Sequence, residues 1–121
     1  MKTHLSSSIR KTIGSTLAFI VIALCSYAQP TITSISALSG TVGSQITISG
    51  TGFNSNSASN TVFFGVVKAS SVTATGTTSL AVTVPTGASY QYLSVTNLGT
   101  NLTAYSARPF VVTFPSVVTD F

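Results

Sequence analysis

The chain has 121 residues, one cysteine and a formal charge of +4, and only 5% of its side chains are charged. Its length suits one small domain. The charge excludes a nucleic-acid binder: Lys2, His4, Arg10 and Lys11 sit at the N-terminus, and beyond residue 28 only Lys68, Arg108 and Asp120 are charged, no basic patch for phosphates.

The first element is a leader. Residues 13–24 are apolar apart from Gly14, Ser15 and Thr16, and Ser26-Tyr27-Ala28 supplies small residues at the −3 and −1 positions of a cleavage site. A basic start, a short apolar run and a small-x-small end predict a secretory signal peptide cut between Ala28 and Gln29. The run is shorter than the about 20 residues that span a bilayer. No stable membrane span is therefore expected after cleavage, and an uncleaved anchor is the competing reading. Ile22-Ala23-Leu24-Cys25 resembles the lipobox of bacterial lipoproteins, but Leu24 stands where that family carries a small residue. Lipidation at Cys25 is thus the weaker alternative. Cleavage leaves an exported chain, secreted or at the cell surface, with no cysteine and so no disulfide.

Beyond Pro30, residues 31–36 read as a first strand with Ile32 and Ile35 as its apolar members, and the Ser- and Gly-rich residues 37–43 read as a turn. In Gln45-Ile46-Thr47-Ile48-Ser49 the two isoleucines alternate with polar residues, the period of a strand with one buried face. Gly50-Thr51-Gly52 then breaks the strand. Two glycines around one residue let the backbone reach positive φ or pass close to another strand. Phe53, just after the break, is placed to plug one end of a sheet sandwich. Residues 54–60 are wholly small and polar, which predicts a surface loop with no capacity for core.

Val62 and Phe64 share one face of the next strand and Phe63 the other; after Gly65, residues 66–69 can pair back as a hairpin. Leu80, Val82 and Val84 alternate with Ala81 and Thr83 as far as Pro85, which cannot donate a ladder hydrogen bond. Over residues 90–96, Leu93 and Val95 share a face and Tyr92 opposes them. Residues 97–103 form a polar loop, and Phe110, Val112 and Phe114 mark a last strand over 110–114. No window carries an i, i+3, i+4, i+7 apolar stripe. About seven short strands with closely spaced turn signals predict an all-β sandwich.

The order P-x-I-x-S-I, S-G-x-x-G, I-T-I-S-G-T-G-F, N-T-V-F-F-G, V-T-V-P and a closing F-V-V resembles the IPT/TIG domain. The match runs from Pro30 to Phe114 and is closest at Ile46, Thr47, Ile48, Ser49, Gly50, Thr51, Gly52 and Phe53, with Pro85 also in place. Ala37 departs from it, standing where the family usually has proline, so a looser turn is expected there. The resemblance implies an immunoglobulin-like β-sandwich of the early-set type over residues 29–114. It implies no single function, because such domains serve as spacers, receptor modules and DNA-binding partners alike. Val118-Thr119-Asp120-Phe121 echoes Ile32-Thr33-Ser34-Ile35, so residues 115–121 read as a tail or as the start of a second, truncated copy.

Catalysis has no material to work with after residue 28: one carboxylate side chain, no histidine, no cysteine. No acid–base pair, Ser-His arrangement or metal-ligand set can be assembled, so neither an enzyme nor a cofactor is expected. Gly50-Thr51-Gly52 lacks the third glycine and following helix of a phosphate loop. Tyr90, Tyr92 and Tyr105 are candidate contacts for sugar rings, against the alternative of ordinary strand packing. Asn101-Leu102-Thr103 is an N-glycosylation sequon, on a chain whose leader is of bacterial type. The expected function is therefore a non-catalytic structural or adhesion module, a spacer or display domain among neighbouring domains of a larger surface protein. The alternative is an accessory carbohydrate-binding module of a polysaccharide-utilising surface protein. Exported protein should begin at Gln29; intact-mass analysis checks this, and a lipid-modified Cys25 or a retained leader would overturn it.

Overall fold

Alternating strands bury one face only when two sheets close over each other, and the chain does this. A computed structural model describes residues 28–115. The leader with Cys25 and the Val118–Phe121 echo lie outside the described residues, while Ala28 and Gln29 are both exposed. Nine strands follow in chain order: β1 (Thr31–Ile35), β2 (Ser39–Gly40), β3 (Gln45–Thr51), β4 (Asn60–Phe64), β5 (Val67–Lys68), β6 (Val72–Thr75), β7 (Ser79–Thr83), β8 (Gln91–Asn97) and β9 (Leu102–Val112). They form a four-stranded sheet, β1-β3-β7-β6, and a five-stranded sheet, β2-β9-β8-β4-β5. Every pairing is antiparallel except β2 with β9.

The core is filled from both sides. Ile46, Ile48, Leu80, Val82 and Val84 come from the first sheet and its continuation; Val62, Phe64, Leu93, Val95, Phe110 and Val112 come from the second. Phe64 and Phe110 meet edge to face, with ring centroids 5.3 Å apart, a geometry their quadrupoles favour. Ile32 and Ile35 both pack against this core although an odd spacing should put them on opposite faces. A bulge at Thr33 resolves the conflict: Ile32 pairs with Gly50 and Ser34 with Ser49, so one extra residue restores the phase.

Phe53 closes one end of the sandwich, 2% exposed, with its N–H donating to Thr77 O at 3.1 Å. The two glycines before it do different jobs. Gly52 has φ +72° and lies against Pro30, where a Cβ would come within 2.9 Å of the proline Cα. Gly50 is the close approach: a Cβ there would collide with the Thr31 carbonyl oxygen and sit 2.6 Å from the Phe53 ring.

Four sequence expectations need correction. The turn over residues 37–43 contains β2, because the chain crosses between sheets there; Val111 N donates to Leu38 O and Thr113 N to Gly40 O, both at 2.9 Å. The last strand runs over Leu102–Val112 rather than 110–114, held by ladder bonds to β8, and Phe114 lies past its end, 72% exposed. The polar loop over 97–103 accordingly shrinks to a tight turn with Asn101 at φ 58°, and Asn97 is buried. Residues 54–60 are not all surface: Asn60 is 4% exposed, accepts from Asn54 N at 2.8 Å and donates to the Asn54 and Asn56 carbonyls. The short edge strand β6 was not expected from the sequence at all; only Val72 and Ala74 turn inward from it.

The chain enters at Pro30, beside Gly52 and the Asn97 end of β8. It leaves after Val112, beside Gly40 at the opposite end. Phe53→Ala should cost about 3–5 kcal/mol, and Gly50→Ala should destabilise through overpacking by about 1–3 kcal/mol or more. A domain of this size has only about 5–10 kcal/mol in total. Urea melts of the two variants coinciding with the parent curve would show that neither contact matters.

Candidate functional site

The two outer faces differ chemically. On the four-stranded sheet the outward positions are Thr47, Ser49, Thr73, Thr75, Ser79, Ala81 and Thr83, without an aromatic ring or a charge. On the five-stranded sheet the register draws a row straight across four strands: Lys68 pairs with Phe63, Phe63 with Ser94, and Ser94 with Tyr105. Flanking positions on β4, β8 and β9 point inward, so this row points out. Tyr92 stands two residues from Ser94 on the same face and opposite Pro109. Tyr92 and Tyr105 are therefore diagonal neighbours, the relation that brings long side chains on adjacent strands within reach. They are 54% and 70% exposed, Phe63 is half-buried, and Thr96 and Thr103 extend the face through a 2.7 Å hydroxyl contact.

Past the Ser94–Tyr105 pair the ladder slips. Between the pairs Tyr92–Pro109 and Ser94–Tyr105, β9 carries two more residues than regular pairing allows. Ser106, 5% exposed, fills the gap: its hydroxyl accepts from Leu93 N at 3.0 Å and donates to Arg108 O at 2.8 Å. A side chain thus does the work of a missing main-chain rung, and the displaced residues place Arg108 at the outer edge of β9.

Two other features offer less to a ligand. At the Pro30 end, Asn54, Asn60 and Asn97 form a cluster in which Asn97 donates to Gly52 O at 2.9 Å and accepts from Gly99 N at 2.9 Å. No buried side-chain polar atom among the described residues lacks a partner, so the cluster fixes loops and offers nothing to a ligand. A cleft of about 210 Å³ lies between β1 and β9, lined by Ile32, Ile35, Leu38, Ser106 and Arg108 among others, below the roughly 300–1,000 Å³ of ordinary ligand pockets. Among the described residues no three His, Cys, Asp or Glu side chains gather, and no helix is long and apolar enough to cross a membrane.

Of the three tyrosines singled out from the sequence, the structure brings Tyr92 and Tyr105 onto one face and leaves Tyr90, 66% exposed, just before β8 begins. Sequence reasoning missed Phe63 and Lys68 as parts of that face, and the buried Ser106 and exposed Arg108 at its β9 edge. The outward phase of Phe63 was its only advance signal.

A family model described as the IPT/TIG domain matches residues 30–112. No curated protein matches the chain in sequence. Among solved structures it is similar to an auxiliary nutrient binding protein from Bacteroides thetaiotaomicron, with TM-score 0.66 and 20% identity over 71% of this chain and 21% of that one. It is also similar to gamma-CGTase from alkalophilic Bacillus clarkii (TM-score 0.60, 28% identity, 70% and 12% covered). A third is SGBP-B from a complex xyloglucan utilization locus in Bacteroides uniformis (TM-score 0.58, 21% identity, 71% and 24% covered). The chain thus spans between 12% and 24% of the length of these three proteins. Ser106→Ala should cost about 1–3 kcal/mol by orphaning Leu93 N–H. Tyr92→Ala and Tyr105→Ala should stay within about 0.5 kcal/mol of the parent. Chemical denaturation of all three checks the split between a structural serine and surface tyrosines.

Proposed function

Because the chain belongs to the IPT/TIG domain family, we propose that it is a non-catalytic exported module that spaces and displays neighbouring domains of a larger surface protein. The observation that carries this reading is the position of the two ends. The chain enters beside Gly52 and leaves beside Gly40, at opposite ends of the sandwich. Successive domains joined there lie in line, and each copy adds about 30 Å, the length of its longest strand. The leader pattern over residues 1–28 supports export, and the lack of any carboxylate, histidine or cysteine among residues 29–115 supports a role without chemistry.

A second reading rests on the aromatic face. Tyr92, Tyr105 and Phe63 on one side of the five-stranded sheet give apolar ring faces to sugars, with tyrosine hydroxyls at the rim. The described likeness to a nutrient-binding protein and to a protein of a xyloglucan locus supports a polysaccharide as the partner. The face is flat and open, and each exposed hydrogen bond contributes only about 0.5–1.5 kcal/mol. The contact is therefore weak, about millimolar, or −4 kcal/mol.

Spin labels introduced by Gln29→Cys and Thr113→Cys into the cleaved chain should lie about 30 Å apart, and a separation under about 20 Å would remove the in-line spacer. Isothermal titration against a polysaccharide panel tests the second reading. Micromolar binding lost in Tyr92→Ala would place glycan recognition above spacing.

A further inference from the structure

The aromatic face carries a charge pattern that composition alone does not reveal. Among residues 28–115 the only charged side chains are Lys68 and Arg108, both cationic and both exposed. Topology puts both on the five-stranded sheet, Lys68 on β5 and Arg108 on β9, while the other outer face has none. Lys68 stands on the aromatic face opposite Phe63, and Arg108 stands at the far edge of the sheet, exposed beside the cleft to β1; measured across the strands they are three spacings, or about 14 Å, apart. No carboxylate lies anywhere in residues 28–115 to neutralise either.

We propose that the glycan this face takes is an anionic one, a polysaccharide bearing uronate carboxylates. The inference rests on the glycan-binding reading and narrows its substrate class. A uronate chain running across the strands lays its sugar rings on the tyrosine and phenylalanine faces. Its carboxylates then reach the cations at the two edges. Arg108 offers a planar fork that suits a carboxylate in two-point contact, and Lys68 a point charge on a flexible stem. A neutral glycan finds the same rings but leaves both cations hydrated and unused. Among residues 28–115 no acidic side chain opposes these two cations, so repulsion from the described part of the protein does not offset the attraction.

The test is an NMR titration of the cleaved chain with a galacturonic acid oligosaccharide and with its neutral galactose counterpart. At about 0.01 M salt, where screening extends to about 30 Å, the uronate should bind about five-fold tighter, the gain two exposed charge contacts supply. At about 1 M salt, where screening falls to about 3 Å, the preference should vanish. The double variant Lys68→Gln/Arg108→Gln should bind both sugars alike at low salt. Equal affinities in the parent at low salt, or a preference surviving in the double variant, overturn the anionic assignment and leave the aromatic face standing. Failure of both sugars to shift the amides of Phe63, Tyr92 and Tyr105 overturns the glycan reading itself, and this inference with it.

Discussion

The backbone of β1 passes so close to Gly50 that no side chain fits between them, and one end of the sandwich is built on that contact. The Thr31 carbonyl occupies the space of a Cβ at Gly50, and the Phe53 ring fills what remains. Gly52 must then take φ +72° to carry the chain past Pro30, which leaves its carbonyl free for the Asn97 side chain at 2.9 Å. Through Asn97 the same constraint reaches the β8–β9 turn, and through Gly50 N and Phe53 N it reaches the carbonyls of Thr78 and Thr77 in the β6–β7 turn. The chain entry at Pro30, the β6–β7 turn and the β8–β9 turn are all tied to a segment that starts at a residue with no side chain. A larger residue there would push β1 off the sheet and lift the lid that Phe53 forms.

What the sequence made legible follows the same physics. The strands β3, β4, β7 and β8 each have one buried face of large or β-branched residues, and burial writes itself into period-two alternation. Strands held mainly by ladder bonds leave no such mark. The two-residue β2, the edge strand β6 and the first half of β9 are defined by backbone pairing that Ser, Thr, Ala and Arg sustain as well as any other residue. Asn60 and Asn97 were hidden for a related reason. They pair with each other across β4 and β8 and are buried, yet a satisfied buried asparagine looks in sequence like an asparagine in a loop.

The candidate face was half visible. Its tyrosines stand out in a chain poor in charged residues and without tryptophan, and Tyr92 sits in a strand whose outward phase can be read directly. That Tyr105 becomes its diagonal neighbour depends on the β8–β9 register, and that Lys68 and Arg108 share its sheet depends on strand order. Both are long-range facts. Local patterning specifies which way a residue points from its own strand; it does not specify which strand lies alongside.

The two proposed roles, spacing and weak glycan contact, do not compete for the same surface. Among the described residues the chain enters and leaves at the poles of the sandwich, whereas the aromatic face lies along its side, so copies joined end to end would leave every such face open. A millimolar contact is a poor receptor by itself, but neighbouring copies on one polysaccharide convert later contacts into intramolecular ones. Avidity then rises by about 10²–10⁴ without any new interaction, provided the spacing suits the ligand. A rigid sandwich of fixed length supplies that condition. On the proposed reading, the features that suit the module to spacing, a locked core and an entry and exit at opposite poles, are the ones that would let a shallow face be effective in an array.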